Sequence, residues 1–220
     1  MFLRRWTLRI AVISVVVVLG VIAAHRVIEP PRTFYMGQEA RRLGGISHEW
    51  VPLAQIAPVM ARAVVAAEDA NFCRHWGFDM SAIRDAIAEG SGRGASTLSQ
   101  QVVKNVYLWH GRTWPRKALE ALMTPVVEAV WPKRRIVEVY LNVAEFDTGV
   151  FGIEAAAWHH FGVSAANLSA VQAARLAAVL PDPKERSASR PSARLRRRAA
   201  SIRDGAATIA RDGRAACFED

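Results

Sequence analysis

Cysteine is scarce in this chain of 220 residues: Cys73 and Cys217 are the only two. They stand too far apart for a CxxC metal or redox site, and sequence alone leaves their pairing open. Two independent free thiols are the expected state. Alternating strand patterns, internal repeats and long low-complexity stretches are missing as well. Their absence excludes an all-β fold, a repeat array and a disordered tether as the body of the protein. Acids are outnumbered, 20 Asp and Glu against 29 Lys and Arg, for a formal net charge of +9. That surplus implies attraction to something anionic, whether nucleic acid, lipid head groups or a phosphorylated substrate, without choosing among them.

What is abundant is apolar residues, 51% of the chain, and part of the excess sits in one N-terminal block. Arg4, Arg5 and Arg9 precede an apolar run over 10–24, followed by His25, Arg26 and Pro30-Pro31. Crossing a bilayer takes about 20 helical residues, and 6–24 reaches that length if Arg9 snorkels to the interface. A cleaved signal peptide is the rival reading, with Val21-Ile22-Ala23 as a passable cleavage site. The uninterrupted Val-rich run leaves little polar region before such a cut and favours an uncleaved anchor. Basic residues ahead of the segment place the N-terminus in the cytoplasm and the remainder outside, which argues against nucleic acid as the anionic partner. The expected organisation is a basic tip and anchor over 1–29, a turn-rich stalk over 30–50, a main domain over 51–185 and a basic C-terminal helix over 186–220.

Periodicity predicts helices over 56–67, 80–88, 97–109, 114–131, 133–143, 152–161 and 169–180, so the fold class is mainly α. In the tail, Leu195, Ala199, Ile202, Ala206 and Ile209 repeat by fours and threes. They form one apolar stripe, with the arginines around them read as the solvated face of a packed terminal helix rather than a lipid-facing patch.

Four segments carry candidate chemistry. Glu68-Asp69 closes an Ala- and Val-rich helix, a costly place for a charge without work or a partner. His75, with no second ligand at metal spacing beside it, reads as structural. Thr97 and Gln100 fit a capping box. Gln100, Gln101 and Lys104 share the helix side opposite Leu98, Val102 and Val106. An ordinary surface accounts for Lys104 better than for two adjacent glutamines and Asn105. Lys117 and Glu120, three apart, are also compatible with a plain surface ion pair. Ile136, Val139 and Tyr140 are most simply core.

Each segment is ambiguous, but their order is not. Glu68-Asp69-x-x-Phe72-x-x-His75-x-Gly77-Phe78-Asp79 comes first, then Gly94-Ala95-Ser96-Thr97-x-x-Gln100-Gln101-x-x-Lys104-Asn105, then Arg116-Lys117-x-x-Glu120. Lys133-Arg134-Arg135-Ile136-x-Glu138-x-Tyr140-Leu141-Asn142 and Gly152-x-x-x-Ala156 follow. This series resembles the five ordered motifs of glycosyltransferase family 51, over about 51–183, and its wording resembles the monofunctional branch.

The resemblance implies a mainly helical, two-lobed, lysozyme-like fold. It implies a peptidoglycan glycosyltransferase that polymerises glycan strands from lipid II, by inverting transfer to the 4-hydroxyl of the acceptor sugar with release of lipid pyrophosphate. Glu68 matches the family's general base and Glu120 its second essential acid. Asp69, Ser96, Gln100, Gln101, Lys104, Asn105, Arg112, Arg116 and Lys117 match substrate-binding positions. A divalent cation, Mg²⁺ or Mn²⁺, is implied, and no organic cofactor. The implied setting is the cytoplasmic (inner) membrane, single-pass, with the catalytic domain in the periplasm. The partners are lipid II, the growing glycan strand and proteins of cell-wall synthesis or division. One departure is Asp147, where relatives tend to carry Gly after Phe146.

Two other readings compete. A lytic transglycosylase or lysozyme also depends on a helical-fold glutamate, but expels a sugar hydroxyl and needs a protonated acid, not a pyrophosphate clamp. A non-catalytic anchored scaffold would not require Glu68, Lys104 and Glu120 together.

Overall fold

The computed structural model describes residues 2–88, 90, 96–111 and 113–219. Helix α1 (Phe2–Ala24) is followed by α2 (Phe34–Leu43), α3 (Pro58–Glu68) and α4 (Met80–Ala88). Helices α5 (Leu98–Tyr107), α6 (Trp114–Val130), α7 (Lys133–Val143), α8 (Ile153–Phe161) and α9 (Ala170–Val179) come next. The chain closes with α10 (Ala193–Arg211) and α11 (Ala216–Glu219). The mainly helical expectation holds. So do the expected elements between 56 and 180: those over 80–88 and 133–143 agree at both ends, and the others shift by one or two residues.

One small sheet was not legible in the periodicity: β1 (Ser47–His48), β2 (Glu145–Asp147) and β3 (Val150–Phe151). The order is β1-β3-β2, with β1 parallel and β2 antiparallel to β3. Strands of two or three residues are too short for an alternation to register.

Helix α1 is long and apolar enough to cross a membrane, and its apolar side chains are exposed over most of its length. Its end is not free. Trp131 Nε1 donates to Ile22 O at 2.7 Å, and Ile22 is buried. Arg26 reaches Val130 O at 2.9 Å, while Arg135 reaches His25 O at 3.0 Å and Ile28 O at 2.7 Å.

The stretch expected to be a turn-rich stalk folds instead as α2, capped by Thr33, whose hydroxyl accepts from Met36 N at 3.2 Å, and stopped at Gly44. Its buried residues include Met36 and Glu39, spaced to share a face. A ten-residue helix is too short to hold by itself in water, so α2 draws its stability from tertiary contacts.

Helix α10 packs against α3 and α9, and the five stripe residues Leu195, Ala199, Ile202, Ala206 and Ile209 are its buried ones, as expected of a packed terminal helix. Beyond it, α11 folds back beside the first motif. Phe218 and Phe72 have ring centroids 6.4 Å apart, and Arg62 Nε pairs with Glu219 at 2.6 Å. There Cys73 and Cys217, 144 residues apart in sequence, are joined by a disulfide. The expectation of two free thiols is therefore corrected: the pairing comes from tertiary proximity that no local spacing encodes.

Candidate active site

Two helices meet end to side to make the site. Glu68 is the last residue of α3, an Ala- and Val-rich helix whose apolar face is fully buried, so its terminal carboxylate is held at the edge of the core. Helix α5 presents Gln101 to it: the Gln101 amide donates to Glu68 Oε2 at 3.1 Å, and its oxygen accepts from the Tyr140 hydroxyl at 3.3 Å. Tyr140, expected to be plain core, therefore fixes which way the Gln101 amide points. On the other side, Arg198 of α10 lies 3.9 Å from Glu68 Oε1. Burial pushes the Glu68 carboxyl above the usual range. Gln101, Arg198 and Lys104 pull it back, and Asp69 adds to the rise. Burial likewise lowers the Lys104 ammonium, opposed first by Glu120.

The start of α5 is over-determined, which gives Gln101 a fixed platform. Thr97 and Gln100 form the expected capping box, and the Thr97 hydroxyl donates to Gly77 O at 2.6 Å. Gly77 has φ +88°, and a Cβ there would stand 2.7 Å from Thr124 Cγ2, so the first motif can approach α6 this closely only with glycine. Asp69 completes the join, accepting from His75 Nε2 at 2.7 Å and from Leu98 N at 2.9 Å. His75 is structural, as expected. Asp69, expected among substrate-binding residues, is buried and occupied.

Glu120, expected as the second essential acid, is enclosed by cationic and amide partners. It is 2% exposed, and its carboxylate is saturated. Arg116 Nη1 donates to Oε2 at 2.6 Å, Gln100 Nε2 to Oε1 at 3.4 Å, and Lys117 pairs with Oε1. Arg116 spends its remaining reach on Gly111 O at 2.7 Å. Gln100 and Arg116 therefore face Glu120 rather than open space. Lys117, 43% exposed at its side chain, also donates to Ser96 Oγ at 3.3 Å. Arg112 lies outside the described residues, as do Gly94 and Ala95.

A cleft of about 310 Å³ runs past this frame, lined by Gln101, Lys104, Asn105, His110, Tyr140 and Lys184 among others. A second cavity, about 500 Å³, lies beyond Pro181 and Asp182, which both share, and is lined by Arg186, Arg194 and Arg198. Glu68 bridges the two sides, one oxygen toward Gln101 of the cleft and the other toward Arg198 of the basic cavity. Sequence reasoning missed these arginines because a solvated helix face explained them. It also missed the rim, where Lys184 pairs with Glu39 at 2.9 Å and Tyr35 donates to Glu145 at 2.7 Å. Helix α2 is thereby part of the cleft wall.

The carboxylates here do not make a protein cage for a divalent cation. Glu120 and Asp69 are consumed by their partners, and among the described residues no group of three His, Cys, Asp or Glu side chains converges on Glu68.

A carboxylate of raised pKa between two cavities, one lined by lysine and the other by arginine, suits proton removal beside anionic ligands. A family model described as Transglycosylase matches residues 36–207. The chain is 65% identical to a biosynthetic peptidoglycan transglycosylase of Jannaschia sp. (strain CCS1), over 98% of this chain and 90% of that one. It is 48% identical to the protein of that description in Rhodospirillum centenum, over 99% and 96%, and 43% identical to that of Caulobacter vibrioides, over 98% of each. The chain therefore belongs to the transglycosylase family, with its lysozyme-like helical fold, and is a monofunctional peptidoglycan transglycosylase.

Proposed function

We propose that the enzyme polymerises glycan strands from lipid II by a single inverting displacement, with Glu68 as general base. The 4-hydroxyl of the acceptor sugar gives its proton to Glu68 as its oxygen attacks the anomeric carbon of the donor. The bond from that carbon to the lipid pyrophosphate breaks, and the electron pair leaves with the pyrophosphate. Attack opposite the leaving group inverts the centre, and no covalent intermediate forms. The observation that carries this reading is the setting of Glu68, its pKa raised by burial and its two oxygens turned to Gln101 and Arg198, which line different cavities. A carboxylate whose pKa is raised by burial is a stronger base than a solvated one. Lys104, with Lys117, supplies positive charge for the departing pyrophosphate through charge-assisted hydrogen bonds. Asn105 lines the cleft beside Lys104.

The Mg²⁺ or Mn²⁺ expected from the resemblance would be held by phosphate oxygens of the donor, not by these carboxylates, and would add positive charge for the departing pyrophosphate. The apolar α1 anchors the enzyme in the cytoplasmic membrane, and the catalytic domain faces the periplasm. Its lipid-linked substrate and glycan product then lie on the same side.

Glu68→Gln keeps the side chain's size and hydrogen bonds but cannot take a proton. Strand synthesis from lipid II should fall roughly 10²–10⁴-fold, with lipid II binding nearly unchanged. Lys104→Ala should weaken both binding and turnover. Near-normal polymerisation by folded Glu68→Gln would overturn the assignment. Cleavage of finished wall, with no use of lipid II, would point to a lytic enzyme.

A further inference from the structure

Asp147, the residue that departs from the motif pattern, sits in an unusual place. Strand β2 pairs Glu145 with Phe151 and Asp147 with Val150, and a register shift between them leaves Phe146 as an extra residue. Such a bulge re-aims the side chain that follows it. Here it turns Asp147 toward the end of α8, where His159 and His160 stand together with ring centroids 4.8 Å apart and nearly perpendicular planes, 82°.

Asp147 Oδ2 is 3.4 Å from His159 Nε2 and 3.6 Å from His160 Nε2, and one donor atom from each of the three residues lies within 4.8 Å of the others. Those separations are long for charge-assisted hydrogen bonds, which close to about 2.7–2.9 Å. The two carboxylate-to-imidazole separations approach another geometry, and the imidazole nitrogens, within 4.8 Å of each other, would close onto the ion. A tetrahedral ion with bonds of roughly 2.0–2.1 Å holds its ligands about 3.3–3.4 Å from one another. The other carboxylate oxygen, Oδ1, is already held, accepting from Thr148 N at 2.7 Å, so Oδ2 is the oxygen left to face the imidazoles. Orientation of a ligand by such an outer bond is a regular feature of metal sites. The His160 side chain is 1% exposed and that of His159 is 49% exposed, so the group is anchored on one side and open on the other. His160 Nε2 also makes a long hydrogen bond, 3.5 Å, to Phe146 O, which the ion would replace by taking that nitrogen deprotonated.

We propose that Asp147, His159 and His160 form a binding site for a borderline transition-metal ion, Zn²⁺ foremost, distinct from the catalytic cleft. Two imidazoles and a carboxylate select Zn²⁺ over Mg²⁺ or Ca²⁺, which take oxygen ligands. The fourth position is open to solvent through His159. The ion joins β2 to the C-terminal end of α8. Because β2 also carries Glu145 of the cleft rim, the site fixes one wall of the cleft without touching substrate.

The test uses the full chain in detergent micelles, stripped with chelator and dialysed. Calorimetric titration with ZnCl₂ should show one saturable site per chain, and Co²⁺ should give the visible absorption bands of a tetrahedral nitrogen–oxygen site. Excess MgCl₂ should not compete. His159→Ala and Asp147→Gly alter partly exposed side chains and should fold. Each should weaken Zn²⁺ binding by about tenfold or more and abolish the rise in melting temperature that Zn²⁺ gives the parent. Absence of saturable Zn²⁺ binding to the folded parent would overturn the proposal, as would parent-like affinity in both variants.

Discussion

Substituting Glu120 by Gln separates a chemical role for this acid from an architectural one. In the structure its carboxylate is 2% exposed, and the paired Arg116 side chain is only 10% exposed. The amide keeps one accepting oxygen but removes the charge, which leaves the Arg116 guanidinium buried without its counter-ion. Breaking a buried ion pair by removing one partner costs about 3–5 kcal/mol. The retained acceptor places Glu120→Gln near the lower end, about 3 kcal/mol. Lys117 adds little, because its side chain is 43% exposed and such pairs contribute under about 1 kcal/mol. For a chain of this size each kcal/mol moves the melting temperature by about 2–4 °C, so the loss should be about 6–12 °C.

Glu68→Gln makes the matched control. Burial disfavours the Glu68 charge, its folded pKa lying above its ordinary one, so neutralising it should leave the melting temperature unchanged or raised. Thermal unfolding followed by circular dichroism, with all three proteins in the same detergent, makes the comparison. If Glu120→Gln melts within about 2 °C of the parent while strand synthesis collapses, the architectural reading is refuted and Glu120 belongs with the reacting groups.

Three further outcomes are expected. Arg198→Ala removes a cation 3.9 Å from Glu68, which raises the Glu68 pKa further, so the acid limb of the rate profile should move to higher pH; an unmoved limb would separate Arg198 from the base. Deleting residues 1–20 should leave the melting temperature near that of the parent, whereas deleting 1–28 strips Trp131 and Arg135 of their Ile22, His25 and Ile28 carbonyl partners. At about 1–3 kcal/mol for each buried donor left unpaired, the longer deletion should melt several degrees lower, and equal melting would show those contacts to be unimportant. Alkaline phosphatase fused at the C-terminus should be active in cells, and activity of a cytoplasmic reporter instead would reverse the proposed orientation.

Local signals in the sequence were read correctly where local physics decides them. The Thr97–Gln100 capping box and the buried stripe of α10 each depend on residues within a few turns of one another. Glu68 and Gln101 were legible as chemistry-bearing, and the structure joins them by a hydrogen bond. What escaped depends on distant chain. The saturation of Glu120 is set by Arg116 and Lys117 together with Gln100 from another helix. The placing of Arg198 beside Glu68 is set by how α10 lies on α3. Helix α2 escaped because ten residues are too few for a helix to hold alone, and docking of Met36 and Glu39 makes it worth folding.

The disulfide gives maturation an order. On the proposed orientation the N-terminus stays in the cytoplasm and the chain beyond α1 crosses the membrane in sequence order, so Cys217 follows Cys73 by 144 residues. Oxidation can close the pair only on the far side of the membrane, once nearly the whole polypeptide has passed. Until then α10 and α11 are absent from the fold, and Glu68 lacks its Arg198 neighbour. On that orientation the enzyme is incomplete throughout its export, and the last helices to emerge are those that latch it.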